Sequence, residues 1–235
     1  MDNRQTMESS AKYKTLGMFT KDYGVLRTIE EITKDITRGS GGSSKENVRT
    51  SWVKHEALRQ LEQLAKQNNA WIEDFIPLTD ELGIIDHGTE NIVYLSKDGE
   101  KVIKLNSFFF LNDDNLEFEF TRDFDYFFNR IDLHNILFPE VAYNVLGFAN
   151  NEKREVSVLL EQPFVRDAKF STQEEIDCCL EEQGFDKKIL GKGLNKGLKG
   201  FSNGRIEITD AKPQNVLKDH KDNLYFIDLD ICLSI

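Results

Sequence analysis

Short runs of alternating or clustered apolar residues recur through the middle of the chain, a pattern typical of β-strands. Between the second and third runs lies Asp98-Gly99, a pair that favours a tight hairpin turn. The runs predict an antiparallel sheet of five strands: Leu82–Ile85, Asn91–Leu95, Lys101–Leu105, Val141–Phe148 and Val156–Leu160.

Apolar residues that recur at helical spacing predict four helices. The second opens with a capping box formed by Ser43 and Glu46, and the fourth is capped by Thr172 and stopped by Gly184. Their expected bounds are about Val25–Thr37, Ser43–Asn68, Asp113–Arg130 and Thr172–Glu182. Strands and helices together place the chain in the α+β class.

Two more apolar runs near the end of the chain predict strands on either side of a polar segment: Ile206–Ile208 and Leu224–Ile227. Lys212 and Asn215 follow Asp210 by two and five positions, and Asp228 follows it by 18. Carboxylate and amide oxygens suit a small hard cation, and a fixed lysine stabilises charge that develops on a phosphoryl group. A solvated β-hairpin would explain the same residue types as turn chemistry, but not the apolar strand immediately before Asp228.

This order and spacing resembles the catalytic loop and metal-binding segment of the protein-kinase-like phosphotransferases. The resemblance implies that Asp210 takes the proton of an acceptor hydroxyl and that Lys212 neutralises the γ-phosphate. It also implies that Asn215 and Asp228 hold Mg²⁺. The short form and the ITDAKPQNVL…FIDLDI ending resemble, more narrowly, the predicted kinase domain of bacterial polyvalent proteins, which phages and conjugative elements carry. Ile208-Thr209 replaces the His-Arg pair that often precedes the catalytic Asp.

The same resemblance implies a nucleotide site on the predicted sheet. The turn at Gly88 would cover the nucleotide, because Gly88 precedes Val93 by five positions as in the family, although the other loop glycines are absent. An ordinary hairpin turn is the alternative. Lys104, at the end of the third strand, would reach the α and β phosphates, although surface strands also carry lysines.

A carboxylate partner for Lys104 is expected on the predicted helix Asp113–Arg130. Glu117 falls on the apolar stripe of that helix, whereas Glu119 points to one side and is the reserve candidate. A buried carboxylate is costly unless it is paired, so Glu117 is the predicted partner of Lys104. A carboxylate favoured by the helix dipole is the alternative interpretation.

After the fifth strand, Glu161 and Gln162 fall where kinases offer backbone hydrogen bonds to adenine. Pro163 has no N–H, so the donor would be Gln162 or a neighbour. The family plan would then divide the chain into an extension at 1–38, a linker with an amphipathic helix at 39–76, an N-terminal lobe at 77–163 and a reduced C-terminal lobe at 164–235.

Composition narrows the possible partners. The net charge of −11 and the 30% of charged residues argue against general binding to nucleic acid or anionic membranes. No apolar run approaches the roughly 20 residues of a membrane helix, and no signal-peptide core is present, so we expect a cytoplasmic protein. The three cysteines and four histidines show no spacing typical of a disulfide framework or a zinc site.

Two features concern the acceptor. Only seven residues follow Asp228, so the peptide docking platform of larger kinases is not expected, and the substrate could be small, dock on residues 1–76 or arrive with a protein partner. The run Lys187–Arg205 holds five lysines, one arginine and five glycines. It could contact an acidic or phosphorylated substrate, or it could be a solvated loop.

The sequence therefore predicts an ATP- and Mg²⁺-dependent phosphotransferase that acts on a hydroxyl of a protein or small molecule. A pseudokinase that binds nucleotide or protein without transfer is the first alternative. Transfer of a nucleotidyl group from ATP bound in reverse is the second.

Overall fold

The computed structural model describes residues 58–88, 91–107, 109–112, 117–120, 124–152, 154–191 and 196–234. The chain divides into two compact units, Met1–Ala70 and Trp71–Ile235. In the first unit, residues 58–67 form helix α1, in which Leu58, Leu61 and Ala65 are buried. This helix ends where the sequence predicts, whereas the predicted helix Val25–Thr37 and the Ser43 capping box lie outside the described residues.

The second unit contains short strands and two longer helices. Helix α2 spans Phe124–Leu137 and helix α3 spans Gln173–Glu182. The strands, in chain order, are β1 Thr79–His87, β2 Asn91–Ser96, β3 Lys101–Ser107, β4 Phe109–Asn112, β5 Glu117–Phe120, β6 Asn144–Asn150, β7 Val156–Pro163, β8 Lys169–Phe170, β9 Asp186–Ile189, β10 Lys199–Ser202, β11 Ile206–Thr209, β12 Val216–Lys218, β13 Leu224–Phe226 and β14 Asp230–Leu233.

Five of these strands form an antiparallel sheet in the order β1-β2-β3-β7-β6, which confirms the predicted sheet. The predicted fourth strand begins three residues late, at Asn144, because Pro139–Val141 form a 3-10 turn. One face of the sheet buries an apolar cluster against Ile72 and Phe75. That cluster consists of Tyr94, Ile103, Leu105, Ala149 and Leu159.

The predicted helix Asp113–Arg130 is wrong. Strands β4 and β5 pair as a hairpin, and helix α2 begins only at Phe124. The reason is local: Glu117-Phe118-Glu119-Phe120 alternates with period two, which suits a strand, and the phenylalanines at helical spacing belong to two different elements. Glu117 therefore lies on β5, opposite Asn112, and its side chain is outside the described part of the chain.

The C-terminal part of the unit has two small sheets, ordered β14-β11-β10-β9 and β13-β12-β8. Strands β11 and β13 confirm that the two apolar runs near the end of the chain are strands. The Thr172–Glu175 capping box confirms the start of α3. The basic run contains strands β9 and β10 in addition to loop. The core between these elements includes Phe138, Val141, Ile176, Leu180, Phe201, Ile208, Phe226 and Ile231.

His134 joins α2 to this core. Its ring is 1% exposed, lies 4.7 Å from the ring of Tyr143 and 5.4 Å from that of Phe138, and its Nε2–H donates to the carbonyl of Phe226 at 2.7 Å. Burial lowers the pKa of His134 to about 4, so the ring is neutral at physiological pH. His134 thus has a structural role in joining α2 to the core. None of the helices described in the chain is long and apolar enough to cross a membrane.

Gly200 lies on β10, where a side chain has no room. A Cβ there would stand 2.5 Å from the carbonyl oxygen of Ile208 on β11, and that carbonyl cannot shift without disturbing the strand pairing. We expect Gly200→Ala to destabilise the fold by about 1–3 kcal/mol, the usual cost of overpacking. Gly191→Ala is the matched control, because a Cβ there meets no described atom within 4 Å. Equal melting temperatures for the two variants would contradict this account.

The buried neutral His134 predicts a pH dependence of stability. The unfolded chain binds a proton at its ordinary pKa of 6.5 and the folded chain only at about 4, so stability is present above pH 6.5 and falls as pH drops through this window. The full loss from this group is about 3 kcal/mol. His134→Gln keeps an amide donor for Phe226 and cannot titrate, so urea unfolding at several pH values should give a flatter curve. Parallel curves would refute the assignment.

Candidate functional site

The loop after β11 holds Asp210 in a fixed, left-handed conformation, with φ of 57°. The side-chain Nδ2–H of Asn215 donates both to the backbone carbonyl and to Oδ2 of Asp210, each at 2.8 Å. Lys212 Nζ lies 2.8 Å from the other carboxylate oxygen, and both side chains are half exposed. Pro213 begins a 3-10 turn that ends at Asn215. The Asp210 carboxylate is thus oriented while remaining accessible.

Asp228 is brought to the same place by strand pairing. Val216 on β12 lies opposite Phe226 on β13, and the next residue, Ile227, donates its N–H to the carbonyl of Asn215 at 2.9 Å. Asp228 follows directly and is partly buried. Strand pairing therefore places Asn215 and Asp228 at the same end of the β12–β13 hairpin.

Lys104 reaches this point from the five-stranded sheet. It is 5% exposed, and its Nζ donates to the carbonyl of Ile227 at 3.0 Å and to the hydroxyl of Tyr143 at 3.3 Å. The Tyr143 hydroxyl donates to the same carbonyl at 2.5 Å. Burial lowers the pKa of Lys104, and the negative charges of Asp228 and Asp86 oppose that effect. Among the residues whose side chains the structure describes, none forms an ion pair with Lys104.

Two asparagines continue the site along the same face of the sheet. Asn91 lies opposite Asn106, as Val93 lies opposite Lys104, so these four side chains share one face. Asn106 Nδ2–H donates to Oδ1 of Asn91 at 2.8 Å, and Asn91 Nδ2–H donates to Asp228 at 3.4 Å. The sheet therefore contacts the Asp228 carboxylate directly.

The predicted covering turn is only partly described. Gly88 donates its backbone N–H to the carbonyl of Asn91 at 2.8 Å, which closes the turn between β1 and β2. Residues 89 and 90 at its tip lie outside the described residues. Gly88 is exposed and Val93 is partly buried on the Lys104 face, so a covering role for both stays a prediction.

The side chains of Glu161 and Gln162 serve the sheet. Glu161 forms an ion pair with Lys101 at 2.8 Å and accepts from Asn144 at 3.4 Å. Gln162 is buried and donates its Nε2–H to the carbonyl of Val141 at 2.7 Å. Both side chains are therefore held by other residues of the protein and are not available to bind a ligand.

The strand register also redirects the predicted adenine donor. Phe164 donates its N–H to the carbonyl of Glu100, and Gln162 lies opposite Val102, two residues further along the same pair of strands. Because backbone groups in an antiparallel ladder alternate in direction, those of Gln162 also point to β3. The expected role of Gln162 as donor does not fit this register. Among the described residues, the N–H of Val165 has no backbone partner and follows the strand end.

The donor set at Asn215 and Asp228 fits Mg²⁺. Both supply hard oxygens, and Mg²⁺ is commonly bound through one or two carboxylates plus substrate phosphates. The Nδ2–H of Asn215 donates to Asp210, and no hydrogen bond from a described residue to its Oδ1 is present. The described part of the chain contains no cluster of three His, Cys, Asp or Glu residues that would bind a metal by itself.

The structure thus brings together five of the residues predicted from the sequence, namely Lys104, Asp210, Lys212, Asn215 and Asp228. Glu117 cannot be assigned to them, because its side chain is not described. Three contacting residues are absent from the sequence prediction: Asn91, Asn106 and Tyr143. The strand alternation that contains Val93 and Lys104 could have indicated the two asparagines, whereas Tyr143 sits in a loop whose pattern carries no signal.

A search of curated proteins finds no match. The family model for the serine/threonine/tyrosine kinase found in polyvalent proteins matches residues 54–234, which extends from α1 to the end of β14 and includes all five of these site residues. Since the match spans most of the chain, the protein belongs to the family of kinases found in polyvalent proteins.

Proposed function

We propose that the chain binds ATP with Mg²⁺ between the five-stranded sheet and the Asp210 loop, and transfers the γ-phosphoryl group to a hydroxyl. In this proposal the sheet with α2 is the N-terminal lobe of a kinase-like fold, and the remaining strands and α3 form a reduced C-terminal lobe. The observation that carries the proposal is the meeting of Lys104, Asp228 and the Asp210 loop at the Ile227 peptide group.

The environment of Lys104 suits an anionic ligand. A buried ammonium is costly unless it is paired, and the described polar partners of Lys104 are a phenol and a peptide carbonyl, both formally neutral. A phosphate oxygen would supply a full negative charge at low dielectric, where such an interaction is strong. Lys104 would therefore hold the α and β phosphates of ATP.

The metal would lie between the phosphates and the hairpin. Asn215 Oδ1 and the Asp228 carboxylate would hold Mg²⁺, and bound Mg²⁺ would neutralise phosphate charge during transfer. Asn91 donates to Oδ2 of Asp228, which orients that carboxylate. Asn215 thus has a second role, because its Nδ2–H already orients Asp210.

Asp210 has the position and accessibility of the base. The acceptor oxygen attacks the γ-phosphorus, the bond from that phosphorus to the bridging oxygen of ADP breaks, and the hydroxyl proton passes to the Asp210 carboxylate. Lys212, beside Asp210, would stabilise charge on the transferred group. Because Asp210 is half exposed, either a small molecule or a protein loop could present the hydroxyl.

The adenine would lie at the end of β7. The strand register favours the N–H of Val165 as donor. Glu161 would contribute through its backbone, and the side chain of Gln162 would support the strand. Gly88 and Val93 would cover the nucleotide from the β1–β2 turn. The net charge of −11 argues against nucleic acid as the acceptor.

Ligand binding can be tested by thermal unfolding. A ligand at 100 times its Kd stabilises the fold by about 2.7 kcal/mol, which for this size raises the melting temperature by about 5–10 °C. We expect such a rise with ATP and Mg²⁺ but not with Mg²⁺ alone, and we expect Asp228→Ala to lose most of it. Asp186→Ala, an exposed change on β9, is the control that should retain the rise. No rise in the wild type at millimolar ATP would defeat the proposal.

Transfer can be tested at Asp210. We expect Asp210→Asn to lower phosphoryl transfer by about 100- to 10,000-fold, because the base is lost, while ATP still raises the melting temperature. Asn tolerates the left-handed conformation at this position. Asp222→Asn is matched, because Asp222 also has a positive φ, of 64°, and lies in a turn away from the site.

Autophosphorylation followed by intact mass gives the readout and separates phosphoryl from nucleotidyl transfer. Equal transfer by Asp210→Asn and the wild type would remove Asp210 from the mechanism. A wild type that binds ATP and transfers nothing would support the pseudokinase alternative.

A further inference from the structure

The Asp230 carboxylate, two residues after Asp228, accepts hydrogen bonds from two hydroxyl groups. Tyr126 donates its hydroxyl to Oδ1 of Asp230 at 2.5 Å, and Thr209 donates its hydroxyl to Oδ2 at 3.3 Å. Thr209 and Asp230 also lie directly opposite each other in the β11–β14 pair. Hydrogen bonds to an ionised carboxylate are stronger than those between neutral groups. Asp230 is thus a junction of side-chain and backbone contacts.

The three residues belong to three different segments. Tyr126 lies in the first turn of α2, Thr209 ends β11, and Asp230 begins β14. Thr209 immediately precedes Asp210, and Asp230 follows Asp228 by two residues. One carboxylate therefore connects the helix to both segments that carry the proposed chemistry.

The opposite end of α2 contacts the same segment. There His134 donates to the carbonyl of Phe226, two residues before Asp228. Asp228 is therefore flanked on both sides by residues that α2 holds, at Phe226 and at Asp230. A shift of the helix would move the backbone of the segment between these two contacts.

The position of Asp210 depends on the same junction. Asp210, whose backbone is left-handed, directly follows Thr209, so a backbone rotation at Thr209 would redirect the whole loop. Thr209 is 5% exposed, and its hydroxyl is satisfied by Asp230. Without that contact the hydroxyl would be a buried donor lacking this partner, and the loop would lose one of its anchors.

We propose that Asp230 is a positioning residue that, through Tyr126 and Thr209, holds Asp210 and Asp228 in their relative orientation. The coupling between the segments is a property of the free protein. Its effect on turnover rests on the proposed function, in which Asp210 and Asp228 act together. Asp230 itself contacts no reacting atom in this proposal.

The coupling is tested first without ATP, by hydrogen exchange on the full chain. The amides of Lys212 and Asn215 donate to carbonyls within the Asp210 loop and report its opening. We expect Tyr126→Phe, which removes one hydroxyl far away in sequence, to speed their exchange by about 10-fold, the equivalent of one lost hydrogen bond. Thr209→Val should speed the same exchange while preserving the shape of the side chain.

Tyr225→Phe is the matched control. The Tyr225 hydroxyl donates to Asp219 at 3.1 Å, so the variant also removes a Tyr–Asp hydrogen bond, but one located in the β12–β13 turn. We expect it to leave exchange at Lys212 and Asn215 unchanged. Unchanged exchange in Tyr126→Phe, or equal acceleration in Tyr225→Phe, would overturn the proposal.

Turnover gives the second readout. Well below the melting temperature, Tyr126→Phe and Thr209→Val should each lower kcat by about 10- to 100-fold, the usual effect of removing a residue that orients a functional group. The KM for ATP should stay within about twofold. The double variant should be little worse than either single variant, because both act through Asp230. Multiplied effects, or a change in KM alone, would overturn the assignment.

The two readouts separate the two proposals. Accelerated exchange in a protein whose wild type transfers nothing would support the positioning role of Asp230 and defeat the proposed transfer. Normal wild-type transfer with unchanged exchange in Tyr126→Phe would support the proposed transfer and overturn the positioning role of Asp230.

Discussion

The peptide group of Ile227 is the interaction on which the site depends. Its N–H donates to Asn215, and its carbonyl accepts from both Lys104 and Tyr143. One peptide unit thereby joins the Asp210 loop, the five-stranded sheet and the loop after α2. The carbonyl dipole also gives the buried ammonium of Lys104 a partner, which a lysine in that position requires. Asp228 is the next residue, so its position is set by these three bonds.

This arrangement explains why short strands are enough to build the site. Strands β11 to β14 are only three or four residues long, and Asp210, Asn215 and Asp228 each lie within two residues of a strand end, where pairing fixes the direction of the chain. The five-stranded sheet contributes to the site through the face that carries Asn91, Asn106 and Lys104. Along each strand these residues alternate with core residues that point to the other face. Function and core therefore occupy opposite faces of the same strands.

Much of this could be predicted from the sequence, for physical reasons. Alternation of apolar residues identified the five strands, and the spacing from Asp210 to Asp228 reflects a hairpin whose ends must meet. The helix Asp113–Arg130 was predicted wrongly because phenylalanines satisfied both periods, and pairing between β4 and β5 decided between them. Tyr143 was missed because its contact with Ile227 crosses 84 positions and leaves no local pattern. The contact of Asn91 with Asp228 crosses 137 positions, and only the strand alternation that it shares with Val93 could have indicated it.

The two ends of the site differ in burial. Lys104 is buried and its described hydrogen-bond partners are neutral, so in the proposed function its charge would act on the phosphates. Asp210 and Lys212 are half exposed, so they face the side from which an acceptor would arrive. Asn215 lies between them, is 9% exposed and orients Asp210 through its amide. In the proposed transfer, a buried cation would hold the phosphates and an accessible carboxylate would take the hydroxyl proton. The Ile227 peptide joins the segments that carry these two groups.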